Sequence, residues 1–395
     1  MTTKDTQWAM RELARHACSR RGAAKLLGGT ALGAALTRLG LGDAAAACQK
    51  AGAKCDKKKR CCQGSSCKQG KCACTRGKKA CGGVCRNLKN DRDNCGACGR
   101  RCDVGSICAG GFCARAFGEA GTGNGQFDGL EGVATDGADR IYVADLFNDR
   151  IQIFNPDGEF LRQISGDSDS ESSFGTPSDI VVAGNGDIYV VDTVNKRIQQ
   201  FGNSGTHLRG FGTPGSGPGQ FNGPFGIDLL GGMVVVTDAA NHRIQRFSST
   251  GFFLQQFGRF GTGEGEFDFP FGIAVDADRN MYVTDSGNNR VQVFDQDGRF
   301  LRTWGRQGSG PGEFDDPRGI AVSADGQVIV SDARNHRIQQ FTPAGKFVRA
   351  IGREGTGTGQ FAFPSGVAMS ETGTLIVTDS GNQRIQLFEL GGNRR

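Results

Sequence analysis

Few residues in this sequence are arranged for catalysis. A metal ion needs three or four ligands that converge, and the four histidines do not do so in any obvious way. They are His16, His207, His242 and His336. The three tyrosines share one repeated position that is interpreted as core: Tyr142, Tyr189 and Tyr282. Because no nucleophile stands beside a general base, the sequence predicts no catalytic residue, no metal and no cofactor.

Cysteine is the residue type in this sequence whose chemistry is most informative. Fourteen of the 15 cysteines lie between residues 48 and 113, and an even, clustered set predicts disulfide bridges. Zinc is the alternative, because Cys95 and Cys98 have the spacing of half a zinc site. We favour disulfides because the cysteine count is even in a chain with a predicted export signal, and no thiolate is then left free for catalysis. The predicted bridging residues are Cys48, Cys55, Cys61, Cys62, Cys67, Cys72, Cys74, Cys81, Cys85, Cys95, Cys98, Cys102, Cys108 and Cys113.

The first 47 residues have the features of an export signal. Arg20 and Arg21 precede a mildly apolar stretch, and the small residues up to Ala47 offer a cleavage site. The uncharged run of residues 26–36 is too short to span a membrane. The segment resembles a bacterial twin-arginine signal, which implies an extracytoplasmic protein, secreted or at the cell surface. Lipidation of Cys48 is an alternative, but it would leave an odd number of thiols.

The cysteine spacing indicates two modules before the C-terminal body. Residues 48–73 contain C-x6-C-x5-C-C-x4-C-x4-C, which resembles an inhibitor cystine knot. That resemblance implies the pairs Cys48–Cys62, Cys55–Cys67 and Cys61–Cys72. Residues 74–113 contain C-G-x-x-C and N-C-G-x-C-G-x-x-C, which resemble the stigma-specific type of cysteine-rich domain. The pairing within this second module stays open.

A repeat dominates the C-terminal body, residues 114–395. The string Asp-x-x-Asn-x-Arg-(Ile/Val)-Gln occurs six times at a spacing of 46 or 47 residues, starting at Asp145, Asp192, Asp238, Asp285, Asp332 and Asp379. Each unit also contains a glycine-rich loop and four short apolar strands, with no helical pattern between them. Such units predict the blades of an all-β propeller. The motif order resembles the NHL repeat family, which implies a six-bladed ring.

Most repeated residues are interpreted as structural. An Asp and an Arg five positions apart, such as Asp145 and Arg150, are expected to pair across a tight turn with Asn148. Five repeated phenylalanines are expected to pack between blades: Phe127, Phe221, Phe267, Phe314 and Phe361. The last blade lacks a fourth strand, and Arg115 to Gly118 matches the end of one. We therefore expect the start of the body to close the ring.

Function is expected where the repeats differ, on the face of the glycine loops. The residue before the first strand is Glu131, Ser178, Phe225, Phe271, Arg318 or Ser365, and Asp179 replaces a repeated glycine. The turns between the second and third strands also vary, with Leu146, Phe147, Val194, Ala240, His242, Arg334 and His336. These positions predict a binding patch near the central channel. The candidate ligand-binding residues are Glu131, Phe147, Asp179, Phe225, Phe271, Arg318 and Arg334.

Charge narrows the class of partner. Residues 48–115 carry 17 Lys/Arg and 4 Asp/Glu, a net charge of +13, and residues 116–395 carry 23 and 34, a net charge of −11. The acidic body argues against nucleic acid, whereas the basic region suits an anionic surface. We expect a secreted or cell-surface scaffold that binds a protein or a glycan on the propeller face. The alternative is an extracytoplasmic lyase or lactonase that acts at the channel.

Overall fold

The computed structural model describes residues 65–68, 71–74, 77–81, 84–98, 100–166 and 171–390. The chain divides into two compact units, with the boundary between Cys113 and Ala114. The predicted signal and four cysteines of the knot-like module (Cys48, Cys55, Cys61 and Cys62) lie outside the described residues, so their assignments stay predictions. No helix among the described residues has the length and apolar character needed to cross a membrane.

The second unit is a propeller of six antiparallel sheets, as the repeat predicts. In blades one to five the four strands are neighbours in chain order. The strands are Leu130–Thr135, Ile141–Asp145, Arg150–Phe154 and Phe160–Ser165 in blade one; Pro177–Val182, Ile188–Asp192, Arg197–Phe201 and His207–Phe211 in blade two; Pro224–Leu230, Met233–Asp238, Arg243–Phe247 and Phe253–Phe257 in blade three; Pro270–Val275, Met281–Asp285, Arg290–Phe294 and Phe300–Trp304 in blade four; Pro317–Val322, Val328–Asp332, Arg337–Phe341 and Phe347–Ile351 in blade five; and Pro364–Met369, Thr374–Asp379 and Arg384–Glu389 in blade six.

Short elements complete the blades. A 3₁₀ turn joins the second and third strands of every blade except blade two: Leu146–Asn148, Ala239–Asn241, Ser286–Asn288, Ala333–Asn335 and Ser380–Asn382. Two glycine loops contain parallel two-residue strands, Glu119–Ala120 with Gln126–Phe127 and Thr213–Pro214 with Gln220–Phe221.

The ring closes with the strand that precedes the first repeat. In the sixth sheet, Phe112–Phe117 lies next to Arg384–Glu389 in the strand order. The first strand of the body therefore supplies the outer strand of the last blade, which confirms the predicted closure. Blade six also contacts blade one, because the hydroxyl of Thr378, in the second strand of blade six, donates to the carbonyl oxygen of Glu131 at 2.7 Å.

The repeated Asp and Arg form a buried network that is the same in all six blades. In blade three the Asp238 carboxylate accepts from Nε of Arg243 at 2.8 Å and from the backbone N–H of Asn222 at 2.7 Å. The guanidinium of Arg243 also donates to carbonyl oxygens of the glycine loop, at Gly217 and Gln220. Nε of the Arg lies 2.7 or 2.8 Å from the carboxylate in every blade. The predicted structural role of these residues is confirmed.

Aromatic rings fill the spaces between blades. Phe127, Phe221, Phe267, Phe314 and Phe361 are fully buried, as predicted. Each ring lies against a glycine that ends the fourth strand of the preceding blade. At Gly212, which has a φ of 94°, a Cβ atom would lie 2.5 Å from the ring of Phe221. The close approach and the left-handed backbone both require glycine here.

The first unit is held together by disulfides. Four bridges join Cys74 to Cys85, Cys81 to Cys98, Cys95 to Cys108 and Cys102 to Cys113. This pairing fills in the connectivity that the sequence left open. Because both Cys95 and Cys98 are bridged, the zinc alternative is wrong for this pair. The short strands of the unit are Ser65–Lys68, Lys71–Cys74, Lys79–Cys81, Val84–Arg86 and Ile107–Ala109.

Candidate functional site

The first strands of all six blades enclose a central cavity of about 200 Å³. Five of the six first strands have a glycine at the same level of this cavity: Gly132, Gly226, Gly272, Gly319 and Gly366. A Cβ atom at Gly226 would lie 2.4 Å from the carbonyl oxygen of Phe271 in the next blade. The first strands of blades three and four therefore approach too closely for a side chain at Gly226.

Asp179 stands where the other five blades have this glycine. Its Oδ2 accepts from the backbone N–H of Ile227, in the next blade, at 3.1 Å. One blade further, Asp228 stands where four other blades have alanine. The carboxylate of Asp228 accepts from the backbone N–H of Leu229 and of Val275, each at 2.7 Å. Both carboxyl groups lie inside the cavity, and each links two blades.

A third carboxyl group lies at the entrance. Glu131 accepts a hydrogen bond from the hydroxyl of Ser365, and its Oε1 is 3.6 Å from Nη1 of Arg318. Nε of Arg318 also donates to the Asp316 carboxylate at 3.1 Å. The Arg318 charge is therefore shared between two acids.

Phenylalanine rings surround this entrance, which we call the channel mouth and define as Glu131, Phe225, Phe269, Phe271, Arg318 and Phe363. The rings of Phe225 and Phe271 stack with centroids 4.7 Å apart, and Phe269 lies 5.8 Å from Phe225. The guanidinium of Arg318 lies between two rings, 5.3 Å from Phe271 and 5.4 Å from Phe363. The mouth thus combines apolar rings with one shared cation.

Sequence comparison identifies the repeat that carries this mouth. Four segments match the NHL repeat: residues 174–201, 267–294, 314–341 and 361–388. Residues 64–116 match the stigma-specific STIG1-like protein family. The chain contains NHL repeats that form a six-bladed propeller, together with a Stig1-like cysteine-rich region. No curated protein matches the sequence.

Many solved structures resemble the NHL propeller. A gluconolactonase from Xanthomonas campestris is 16% identical with a TM-score of 0.54, and the likeness covers 71% of this chain and 91% of that one. An auxiliary nutrient binding protein from Bacteroides ovatus is 15% identical with a TM-score of 0.55, over 70% and 76%. A streptogramin B lyase is 14% identical with a TM-score of 0.52, over 71% and 98%. At these identities the likeness shows the fold alone.

The channel changes the acidity of its carboxyl groups. Burial raises the pKa of Asp179 to about 8, and the charges of Asp228 and Glu131 add to this effect. Burial also raises the pKa of Asp228 to about 6, where two backbone N–H groups oppose the shift. The pKa of Glu131 is raised by burial and held back by Arg318. In the NHL propeller without ligand, Asp179 is therefore mostly protonated at neutral pH.

Two rings of the mouth, Phe269 and Phe363, were not among the predicted residues. Both have a left-handed backbone, with φ of 56° and 53°, and both side chains are exposed. Such a φ is a genuine outlier for a bulky residue. Blades one and three have glycine at this position, Gly129 and Gly223. An alignment of the six copies at the residue before the first strand would have revealed Phe in blades four and six where blades one and three have Gly.

The other predicted residues lie in several places. Phe147 is exposed and covers Gly129 of its own blade, and Arg334 lies in the matching turn of blade five, 3.8 Å from Asp315. Ser178 is buried, and its hydroxyl donates to the carbonyl oxygen of Phe225. Thus Glu131, Asp179, Phe225 and Phe271 line the cavity, and Arg318 contacts Glu131 and Phe271, whereas Phe147 and Arg334 lie outside the residues that line the cavity.

The two histidines of the repeated turns have local partners. Nδ1 of His242 accepts from the backbone N–H of Phe269 at 3.2 Å, and Nδ1 of His336 accepts from that of Phe363 at 3.1 Å. They position the exposed rings. Within the described residues, three potential metal ligands lie within 4.8 Å of one another only at Cys95, Cys102 and Cys113, whose sulfurs are bridged.

Proposed function

We propose that this protein is an extracytoplasmic binding scaffold whose NHL propeller binds a protein or glycan at the channel mouth. The observation that carries this proposal is the pair of exposed rings with a left-handed backbone, Phe269 and Phe363. A non-glycine residue in a disfavoured conformation destabilises a fold by about 1–3 kcal/mol. Glycine at the same position in two blades shows that the fold does not require these rings.

The surroundings of the two rings support binding. Phe225 and Phe271 extend the apolar surface across blades three and four, and Arg318 continues it to Phe363. Exposed aromatic clusters beside an arginine are typical of binding hot spots, where a few rings dominate the affinity. Neither aromatic position is Phe in all six blades, as expected for a site added to a repeated scaffold: the other blades have Glu, Ser or Arg in place of Phe225 and Phe271, and Gly, Thr or Asp in place of Phe269 and Phe363.

The cysteine-rich region supports a location outside the cytoplasm. Four disulfides within residues 74–113 are typical of secreted proteins, since cytosolic thiols are kept reduced. Export by the segment 1–47 remains part of the proposal. The cysteine-rich region is also the candidate for contact with an anionic surface, because residues 48–115 carry a net charge of +13.

The binding proposal is tested with the full-length, oxidised protein. The double substitution Phe225→Ser and Phe271→Ser should abolish recovery of a ligand from the producing organism's surface and secreted material. Phe252→Ser is the matched control, because Phe252 is 74% exposed in the turn between the third and fourth strands of blade three. Strands alternate in direction, so that turn lies on the opposite face. Equal loss in both variants, or no loss in the first, would refute the mouth as the binding site.

A second candidate function follows from the acidity of the channel. Carboxyl groups with a pKa between about 6 and 8 are suited to general acid and base catalysis, as an extracytoplasmic lyase or lactonase would require. Asp179→Asn and Asp228→Asn should then abolish turnover of a lactone or lyase substrate. Binding with no turnover by the wild-type protein would exclude this candidate.

A further inference from the structure

We propose that the channel mouth accepts one lysine side chain that projects from the surface of a protein partner. The inference rests on the proposed function, and it names the class of ligand for that same site. The backbone of the partner would lie on the rings of the mouth, and the ammonium group would enter the cavity between Asp179 and Asp228.

The size of the cavity favours a single side chain. Pockets for drug-sized ligands usually measure about 300–1,000 Å³, and this cavity measures about 200 Å³. At the level of its glycines the first strands of neighbouring blades approach closely, which keeps the cavity small. A larger ligand therefore stays at the mouth and inserts one group.

The walls of the cavity favour a cation. An ammonium group is attracted to the face of an aromatic ring within about 6 Å of the centroid, and Arg318 already occupies such a position between Phe271 and Phe363. Arg318 is also shared by Asp316 and Glu131. Within the described residues, Asp179 and Asp228 have no Lys or Arg within 4.0 Å. The aromatic rings of the mouth therefore attract a cation in addition to Arg318. An ammonium group that passed these rings would reach Asp179 and Asp228, which have no cationic partner in the described part of the chain.

The distribution of charge supports the same partner. Residues 116–395 carry a net charge of −11, which attracts basic proteins and increases the rate at which they associate. A glycan without amino groups offers no cation for the cavity. The three carboxyl groups also fail to converge within the 4.8 Å that groups several ligands on one metal ion. An ammonium group between Asp179 and Asp228 needs only two of these carboxyl groups, because each can accept one of its three N–H donors.

Two peptides provide the probe: acetyl-Gly-Lys-Gly-amide and the same peptide with norleucine in place of lysine, which lacks only the ammonium group. Calorimetric titration of the full-length, oxidised protein should show at least tenfold tighter binding of the lysine peptide at pH 8.5. Binding should weaken by about tenfold or more at pH 6, because protonated Asp179 must first lose its proton.

Variants assign the effect to the channel. Asp179→Asn should weaken binding of the lysine peptide at pH 8.5 and remove the pH dependence above about pH 7, leaving only the change near pH 6 that belongs to Asp228. Asp297→Asn is the control, because Asp297 is exposed in the turn between the third and fourth strands of blade four, on the opposite face. This control should bind as the wild type does.

Three outcomes overturn the inference. Equal binding of the two peptides would show that the mouth recognises apolar groups alone. Unchanged binding by Asp179→Asn would place the lysine elsewhere. Displacement of the peptide by 1 mM calcium chloride, with calcium itself bound, would assign the carboxylates to a metal. In each case, ligand recovery that still depends on Phe225 and Phe271 would leave the proposed function intact, so the two failures are distinguishable.

Discussion

The Asp–Arg network and the channel mouth are each built from positions that recur in every blade. The residue types are constant in the network and differ from blade to blade in the mouth. The network repeats the same Asp, Asn, Arg and Gln six times with nearly identical distances. The mouth has Glu, Ser, Phe, Phe, Arg and Ser at one position around the ring. The repeated residues are those that the blade needs in order to fold. The varied residues are not repeated around the ring, and we propose that their chemistry serves recognition.

The two regions also treat buried carboxyl groups differently. Asp238 is fully buried and receives hydrogen bonds from Asn222, Asn241, Arg243 and Gln245. Asp179 receives hydrogen bonds only from backbone N–H groups, those of Ile227 and Ile180, and has Asp228 and Glu131 nearby. The first carboxylate has a complete set of partners, whereas the second lacks a counter-charge. This difference separates a structural acid from an acid that is suited to a ligand.

The largest expected effect is the loss of a network carboxylate. Asp238→Ala leaves the Arg243 guanidinium buried without its counter-charge and should lower the free energy of unfolding by about 3–5 kcal/mol. Arg259→Ala is the control, because the Arg259–Glu266 pair has an arginine that is 80% exposed. Removal of an exposed pair should cost less than about 1 kcal/mol. Similar shifts of the urea midpoint in the two variants would contradict the structural role of the network.

Two phenylalanines four residues apart sharpen the comparison. Phe267 is completely buried between blades, and Phe267→Ala should destabilise the protein by about 3–5 kcal/mol. Phe271 is only half-buried, and its main aromatic contact is the stack with Phe225, so Phe271→Ala should cost about 1 kcal/mol. Thermal unfolding of the two variants checks the order. A reversed order would show that Phe271 belongs to the core.

The acidity of Asp179 predicts a smaller effect, with a definite sign. The unfolded chain ionises this carboxyl group near pH 4, but the native channel retains the proton up to a pH of about 8. Between these values ionisation favours the unfolded chain, so stability should fall as the pH rises from 6 to 8. The expected loss is on the order of 2 kcal/mol.

Asp179→Asn provides the control for this pH dependence. Asparagine does not ionise, so urea unfolding of the variant should show a flatter pH profile above pH 6. The residual slope below that pH belongs to Asp228, whose pKa is about 6. The same slope in both proteins above pH 6 would contradict the assignment to Asp179.

The fold and the binding face were predictable to different degrees. Six copies of Asp-x-x-Asn-x-Arg-(Ile/Val)-Gln sufficed for the blades, and the match at Arg115 to Gly118 sufficed for closure, because both depend on local repetition. Asp228 and the two exposed rings were missed, since each looks ordinary within its own strand or loop. Their significance depends on neighbours in the next blade, about 47 residues away in the sequence. Asp228, for example, accepts a hydrogen bond from the backbone N–H of Val275.

The disulfide pairing shows the same limit. Counting predicted that the cysteines would be bridged, but partners such as Cys81 and Cys98 are chosen by the path of the chain between them. The eight cysteines of residues 74–113 alone allow 105 pairings. The hydrophobic pattern of so short a region is too weak to choose one.

The central claim is that the varied residues of the mouth bind the ligand without being needed for the fold. The double substitution Phe269→Gly and Phe363→Gly tests it directly, with ligand recovery and thermal unfolding measured on the same full-length protein. Glycine relieves the left-handed strain but adds freedom to the unfolded chain, and these effects of about 1 kcal/mol each nearly cancel. We predict a melting temperature within about 4 °C of the wild type and loss of ligand recovery. Unchanged recovery, or a melting temperature lowered as far as in Asp238→Ala, would contradict the claim.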